Sequence, residues 1–441
     1  MKKRFLFVVT TFLLTVLLYI DRAMISAAEG PITEALALSE NEMGWVFAIF
    51  ALGYSLGQVP TGYIADKFGP RKLLTSVVTA WSTFTVATGA AFNFISILLA
   101  RLFFGLGEAG AFPGISRAVY SWIPLKERGI VTGINFSGSR IGAAVALPVV
   151  AWMISTIGWR WTFVLFGGVG FAWAFYWYFW FRDDPAEHPG ISEEEKSYIL
   201  ETRQTLTEKE AGAELSYWKV LADGNVQLAM FQYFGSNFIF FFCLSWLFPF
   251  LKETYDLTMV ETGFYASAPF LAGAAGNFFS GYLVDYIYER GNWKLSRRLP
   301  AIAGFVLVAG GVLASMGMET AGGAVLFLSI AIFGADMTLS PSWSFCVDIG
   351  KKFSGTVSGT MIMAGNFFGS FLASLAFPYL NSLTGTTDTF FYLAALFAAL
   401  SIIAWLFMNP DEPIEVEESI EVEESTELDE STSIDEARND E

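Results

Sequence analysis

Cysteine, histidine and charge are what this chain of 441 residues has least of: two cysteines, one histidine and 16% charged residues. Cys243 and Cys346 both fall inside apolar runs, which excludes a disulfide framework or a thiolate zinc site. The lone His188 lies in a polar stretch, so imidazole chemistry in a buried core is excluded as well. There is no metal-ligand spacing, no Gly-rich phosphate loop and no Ser–His pair. The expectation is therefore no enzyme, no cofactor, no metal and no nucleic-acid partner. A soluble chain is roughly a quarter charged, so the low charge excludes that class too.

What is present is apolar: 54% hydrophobic and 17% aromatic side chains. They come in repeated runs near the ~20 residues that cross a hydrocarbon core. Twelve candidate spans lie near 5–27, 42–64, 73–91, 95–120, 129–153, 161–181, 225–251, 260–285, 299–317, 322–348, 355–379 and 387–408. An all-α membrane protein with twelve transmembrane helices is expected.

Placing the N-terminus and every even-numbered connection in the cytoplasm gathers twenty Lys or Arg residues there, against Arg160 and Lys252 on the other side. That asymmetry sets both termini in the cytoplasm. Four arginines, Arg22, Arg101, Arg117 and Arg140, remain inside spans. Residues 1–20 have the basic start and apolar body of a signal peptide, with Ser26-Ala27-Ala28 as a cleavage-like site. The run continues through Asp21-Arg22 and the even topology needs it, so an uncleaved first helix is the favoured expectation.

The net charge of −17 belongs mostly to residues 409–441, which carry −14 and repeat Ile-Glu-Val-Glu-Glu-Ser. With that charge density and no aromatics, a disordered cytoplasmic tail is expected, either merely solvating or regulated at Ser419, Ser425 or Ser431. Gly62-Tyr-Ile-Ala-Asp66 recurs as Gly281-Tyr-Leu-Val-Asp285, and the pair Gly138/Gly142 is matched by Gly365/Gly369. Two six-helix halves in parallel repeat are implied, at 1–181 and 225–408, joined by a polar linker at 182–224. Within the linker, 191–204 reads as a surface helix.

The Gly62–Lys72 turn (G-Y-I-A-D-K-F-G-P-R-K) and the two halves resemble the major facilitator superfamily. Asp21-Arg22, with Arg101-Leu-Phe-Phe-Gly-Leu-Gly-Glu108-Ala-Gly-Ala-Phe-Pro113, resembles its anion:cation symporter family, which includes bacterial transporters of galactonate, hexuronate and glucarate. The resemblance covers 1–408. It implies the major facilitator fold, Asp21 and Glu108 as proton-carrying acids, and Arg22 and Arg101 as substrate-site bases.

The charged positions also have a physical reading of their own. A charge at the bilayer centre costs about 2.5–3.5 kcal/mol, so each needs a reason. At 1.5 Å per residue, Asp21, Arg22 and Arg101 lie roughly 8–10 Å outward of the middle, and Glu108 and Arg140 at the middle. Arginines there would hold a substrate carboxylate through their planar forks. Carboxylates would exchange protons, because burial favours the neutral form and a nearby guanidinium the charged one. The competing reading is a set of internal ion pairs fixing helix packing. Arg140 rests on depth alone; pairing it with Glu108 would hold that acid charged until substrate intervened, and an extra arginine would favour a substrate with two anionic groups.

Asp336 in the tenth helix is either a further proton site or a partner of a polar neighbour. Asp66, Arg71, Arg117 and Asp285 are candidates for a cytoplasmic gate, with Asp66 near the start of helix 11 at Ser354 and Asp285 near the start of helix 5. Tyr54, Asn237, Trp343 and Asn366 are candidates for contacting a hydroxylated substrate, each against an ordinary packing role. Gln58 and Gln232 read as packing groups.

The expected function is import of an organic anion, a sugar acid, by proton symport with alternating access. An organophosphate/phosphate antiporter and a non-transporting membrane sensor are the alternatives. A monomer in the lipid bilayer of a bacterial inner membrane is expected, with H+ as coupling ion.

Overall fold

The computed structural model describes residues 2–124, 127–202, 217–350 and 354–414. A helix or a broken helix pair stands at each of the twelve expected spans. In the N-terminal half these are α1 (Lys3–Ala27), continued by the short α2 (Glu29–Leu36), then α3 (Glu40–Phe68), α4 (Pro70–Gly89), α5 (Phe94–Glu108) with α6 (Ala111–Trp122), α7 (Arg128–Ile157) and α8 (Trp159–Trp180). The linker holds α9 (Glu193–Thr202) and α10 (Tyr217–Ala222). The C-terminal half holds α11 (Gly224–Ser245) with α12 (Leu247–Tyr255), α13 (Met259–Glu289), α14 (Trp293–Ser315), α15 (Ala321–Met337) with α16 (Leu339–Gly350), α17 (Ser354–Thr384) and α18 (Asp388–Phe407). Among the described residues, nine helices or continuous pairs are long and apolar enough to cross a membrane, ten if α2 and the start of α3 are taken as one bent span.

Local chemistry sets where the helices start. Asn93 and Ser96 bond each other's backbone at the head of α5, and Thr258 and Glu261 do so at the head of α13. Asp223 and Thr320 cap α11 and α15.

The halves repeat one packing scheme. In the first, α1 lies against α7; in the second, α11 lies against α17. The small-residue pairs make both approaches possible: a Cβ on Gly142 would stand 2.9 Å from the Cα of Val16, and one on Gly369 would stand 2.7 Å from the Cβ of Asn237. Between the halves, α3 packs on α17 and α7 on α13.

Four spans are broken, at matching places in the repeat. Helix α5 ends at Glu108 and the chain resumes as α6; α15 ends one residue past Asp336 and resumes as α16. Thus each half carries a buried carboxyl in the last turn before a break. At the other end of the bundle, α1 breaks into α2 and α11 into α12, and these two breaks touch: Ser26 Oγ donates to the Ser245 carbonyl at 2.6 Å.

That end, opposite the basic one, is where the halves close. Trp45 Nε1 donates to the Tyr379 hydroxyl at 3.1 Å, and Phe47 meets Trp246 edge-on at 5.0 Å. Hydrogen bonds between the described residues of the two halves gather at this end and at the level of Arg140 and Asp336. Toward the basic end, Phe136 meets Trp343 at 6.1 Å.

Two expectations about the polar parts are adjusted. The linker helix α9 is docked rather than simply lying on the surface: Glu195 accepts from the backbone N–H groups of Lys3 and Arg4, both at 2.9 Å, and buries Ile199 beside it. Arg4 meets Glu127 at 3.3 Å and stacks on Tyr198. The segment expected to be disordered from 409 onward first packs against the second half: Asn409 N bonds Asn225, Asp411 pairs with Lys294, and Ile414 N donates to Ile349 O. Ser419, Ser425, Ser431 and the rest of the tail lie outside the described residues.

Candidate functional site

The first helix delivers Asp21 and Arg22 to the centre of the N-terminal half, and the last turns of α5 bring Arg101 and Glu108 to meet them. All four are buried: Asp21 is 1% exposed, Arg22 5%, Arg101 2% and Glu108 0%. Arg22 Nε donates to Glu108 Oε1 at 2.9 Å. Its guanidinium lies over the rings of Tyr54 (4.5 Å), Tyr19 (5.0 Å) and Phe50 (5.3 Å). Arg101 is held between the faces of Phe104 (4.4 Å) and Phe50 (5.1 Å), which fix its plane without consuming its donors.

This geometry corrects the expected depths. Depths counted along the helix axes separate Arg22 from Glu108, yet the two touch, because an arginine side chain reaches further than one helical turn. The four residues form one cluster. Arg140 is not Glu108's partner: its Nε and Nη2 donate to Oδ2 and Oδ1 of Asp336, both at 2.7 Å, and its guanidinium sits 4.0 Å over Phe240. Of the two readings of Asp336, the polar-partner one describes this arrangement, and the partner is an arginine of the other half.

The two ion pairs differ in kind. Arg140 and Asp336 form a closed bidentate fork. Arg22 and Glu108 share one bond, and Arg22 Nη2 and Glu108 Oε2 are buried with no partner among the described residues. Arg101 Nε is likewise buried without a partner among the described residues, and both oxygens of Asp21 are buried with no short hydrogen bond, Trp81 Nε1 being the donor set beside them. Leaving a buried donor or acceptor unmet costs about 1–3 kcal/mol, more for charged groups.

A small cleft opens from this cluster toward the other half. Arg22, Arg101 and Phe50 line one wall, and Phe241, Ser245 and Ser370 the other. The two guanidinium groups are thus placed to receive an anionic group from the seam between the halves.

The remaining expected residues are placed less centrally. Tyr54 is at the site, beside Arg22. Asn237 commits its amide N–H to the Tyr233 carbonyl at 2.8 Å and packs against Gly369. Asn366 is half-buried on α17, and Trp343 is half-buried on α16, nearer the basic end than Asp336. Arg71 donates to the Tyr178 carbonyl at 2.8 Å, and its backbone N–H to Asp183, so in this arrangement it ties α4 to α8 within one half. Arg117 bonds Ser121 at 3.2 Å and stacks on Tyr120; Asp285 is exposed at the basic end. Gln232 bonds Ser342 and accepts from Trp405 Nε1, a packing network. The side chains of Asp66 and Ser354 lie outside the described residues. Among the described residues no cluster of His, Cys, Asp and Glu could hold a metal ion.

Tyr19 and Tyr233 escaped the sequence reasoning. The Tyr19 ring lies 5.0 Å from the Arg22 guanidinium, and the Tyr233 ring packs against Gly365 of α17. Tyr19 sits three residues before Arg22, a spacing that puts both on one helix face; in a chain with sixteen tyrosines that spacing alone was not a distinguishing signal.

A profile of the Major Facilitator Superfamily matches residues 11–373. A "probable sulfoacetate transporter SauU" of Cupriavidus necator is 33% identical over 396 residues, covering 89% of this chain and 90% of that protein. A "probable galactarate/D-glucarate transporter GarP" of Escherichia coli strain K12 is 30% identical, covering 92% and 95%. Among solved structures, a bacterial homologue of the human lysosomal transporter Spinster, inward-facing and unoccupied, shares the fold with a TM-score of 0.70 at 20% identity, covering 92% of this chain and 94% of that one.

Proposed function

Because the chain belongs to the major facilitator superfamily, a family of transporters and not of enzymes, we propose that it imports a small organic anion, a sugar acid of the aldonate, hexuronate or aldarate class, together with protons. The basic end faces the cytoplasm of a bacterial cell, and the two halves rock about the Arg22–Arg101 site.

The observation that carries this reading is the unsatisfied cluster. Arg101 is a buried guanidinium with no carboxylate partner among the described residues, beside an Arg22 that holds Glu108 by one bond. With the outer end open, a substrate carboxylate takes the two guanidinium groups, and Glu108, having lost Arg22, carries a proton. With the inner end open, the anion leaves, Glu108 releases its proton and returns to Arg22. An outer end that is closed, with Glu108 on Arg22, corresponds to the end of that sequence. Asp21, buried beside Glu108, Arg101 and Trp81 with no short bond to any of them, serves as a second proton carrier. Tyr54 supplies a hydroxyl at the site; Trp343, Asn366 and Asn237 face it from the other half as the halves move. Asp66, Arg117, Asp285 and Arg71 form the gate at the basic end.

Uptake of radiolabelled galactonate, glucuronate and glucarate into proteoliposomes under an inward proton gradient tests this. Accumulation should collapse with a protonophore and in Glu108→Gln. Binding without gradient-driven accumulation overturns symport in favour of exchange or sensing.

A further inference from the structure

The Arg140–Asp336 pair has features that the reading of Arg22 and Arg101 leaves unused. Arg140 is on α7 of the first half and Asp336 on α15 of the second; among the described residues no other ion pair joins the halves. Both side chains are largely buried, at 13% and 3% exposure. Two 2.7 Å bonds saturate the matched faces of fork and carboxylate. Such a pair holds the halves in this arrangement, and it cannot simply be pulled apart, because each charge would then be buried alone.

Something must therefore replace each partner as the halves move. A monoanion held by Arg22 and Arg101 offers Arg140 no second carboxylate, only its hydroxyl groups and water. A substrate with a second anionic group offers it a replacement for the Asp336 carboxylate. Tyr19, whose ring lies 5.0 Å from the Arg22 guanidinium, is on α1, and α1 packs along α7, the helix that carries Arg140.

Building on the proposed role of Arg22 and Arg101, we infer that Arg140 and Asp336 form a lock between the halves, opened when the second anionic group of a dianionic substrate replaces the Asp336 carboxylate on Arg140. Charge then stays balanced in one way. The incoming group brings one negative charge into a dry site, and Asp336, leaving its arginine, takes one proton from solution and becomes a neutral carboxylic acid. When the substrate departs, that proton is released and the pair re-forms. The same exchange operates at Arg22, where Glu108 is displaced. Displacing Asp336 thus adds one proton to those taken up at the Arg22–Arg101 site, so a dianion binds with one proton more than a monoanion of the same skeleton.

Galactarate and galactonate differ by that second carboxylate and are the matched probes. Titration calorimetry of the full-length protein in detergent, repeated in buffers of different ionisation enthalpy, reads both affinity and protons taken up. In the wild type, galactarate should bind with about one more proton than galactonate. In Arg140→Gln the galactarate-to-galactonate affinity ratio should fall about tenfold or more, the size of a lost bidentate charged contact. In Asp336→Asn, which keeps the shape and removes the titration, the difference in proton count should vanish. Equal proton counts for the two acids in the wild type, or an unchanged affinity ratio in Arg140→Gln, overturn the lock. Arg101→Gln tests the underlying reading separately: both acids should weaken together, and their doing otherwise overturns the role of Arg101 whatever Arg140 shows.

Discussion

Ser26 donates its hydroxyl to the carbonyl oxygen of Ser245 at 2.6 Å, and 219 residues separate them. The same offset separates the two Gly-Tyr-x-x-Asp turns. The internal repeat is thus a spatial one: equivalent helix breaks, one from each half, meet at the end of the bundle opposite the basic one. Because the partners are a hydroxyl and a carbonyl, the contact is a neutral hydrogen bond worth about 1 kcal/mol, weak enough to open in a transport cycle.

Closure at that end should depend on Gly44, where α3 approaches α17. A Cβ there would stand 2.9 Å from Pro378 Cγ and 3.1 Å from the Ser374 carbonyl. Gly44→Leu should prevent the two helices from meeting and hold the outer end open. A cysteine placed at Ser245 and labelled by an impermeant maleimide from outside should react several-fold faster in that background, while uptake falls. Unchanged labelling would mean that closure does not pass through Gly44.

Arg101→Lys should not be a mild change. The flat guanidinium is clamped between Phe50 and Phe104, and a lysine ammonium neither stacks in that slot nor meets a carboxylate with two donors. Substrate affinity should drop by roughly tenfold or more, measured by binding in detergent, with the thermal unfolding temperature held within a few degrees. A near-normal affinity would remove Arg101 from the site.

Glu195 works as a helix cap supplied from 192 residues away. Its two oxygens accept the Lys3 and Arg4 N–H groups at 2.9 Å, donors that the first turn of α1 otherwise leaves unmet. Glu195→Ala should lower stability by about 1 kcal/mol, as loss of a cap does, read as a small fall in Tm in detergent; no change would place the cap's donors in water.

Docking of the linker should weaken in acid. His188 packs edge-on against Trp122 and Trp180, and its Nδ1 accepts from Gly190 N at 3.1 Å. Burial, then the charges of Lys3 and Arg182, hold its pKa below the usual imidazole value. A depressed pKa contributes stability that is complete above the ordinary value near 6.5 and is lost as pH falls toward the lowered one. Amide protection factors over 185–199, the exchange rates divided by their intrinsic values at each pH, should fall below about pH 6, and His188→Gln should flatten that dependence. Protection factors that do not change with pH in the wild type would contradict it.

Much of this was legible in the sequence for identifiable reasons. The hydrocarbon core imposes one length scale on every span, so apolar runs marked where helices stand. Buried charge is costly enough that Asp21, Arg22, Arg101, Glu108, Arg140 and Asp336 each stood out. Pairing was less legible. Arg140 and Glu108 share a depth, but depth carries no information about which face of a helix meets which neighbour, and Asp336 comes from the other half. Side-chain reach was also invisible, so the axis count parted Arg22 from Glu108. The helix breaks after Glu108 and Asp336 leave little trace beyond a Gly or a Thr. Asn237 satisfies its amide on its own helix, an option that any asparagine in a span has.

The most direct measurement is proton movement itself. Proteoliposomes are supplied with whichever of galactonate, glucuronate and glucarate they accumulate, with no imposed gradient, and external pH is followed with a dye. Addition of substrate should alkalinise the outside as protons enter with the anion, and Glu108→Gln should abolish that signal. Uptake without alkalinisation, or the same alkalinisation in Glu108→Gln, would contradict a transport cycle in which Glu108 trades Arg22 for a proton.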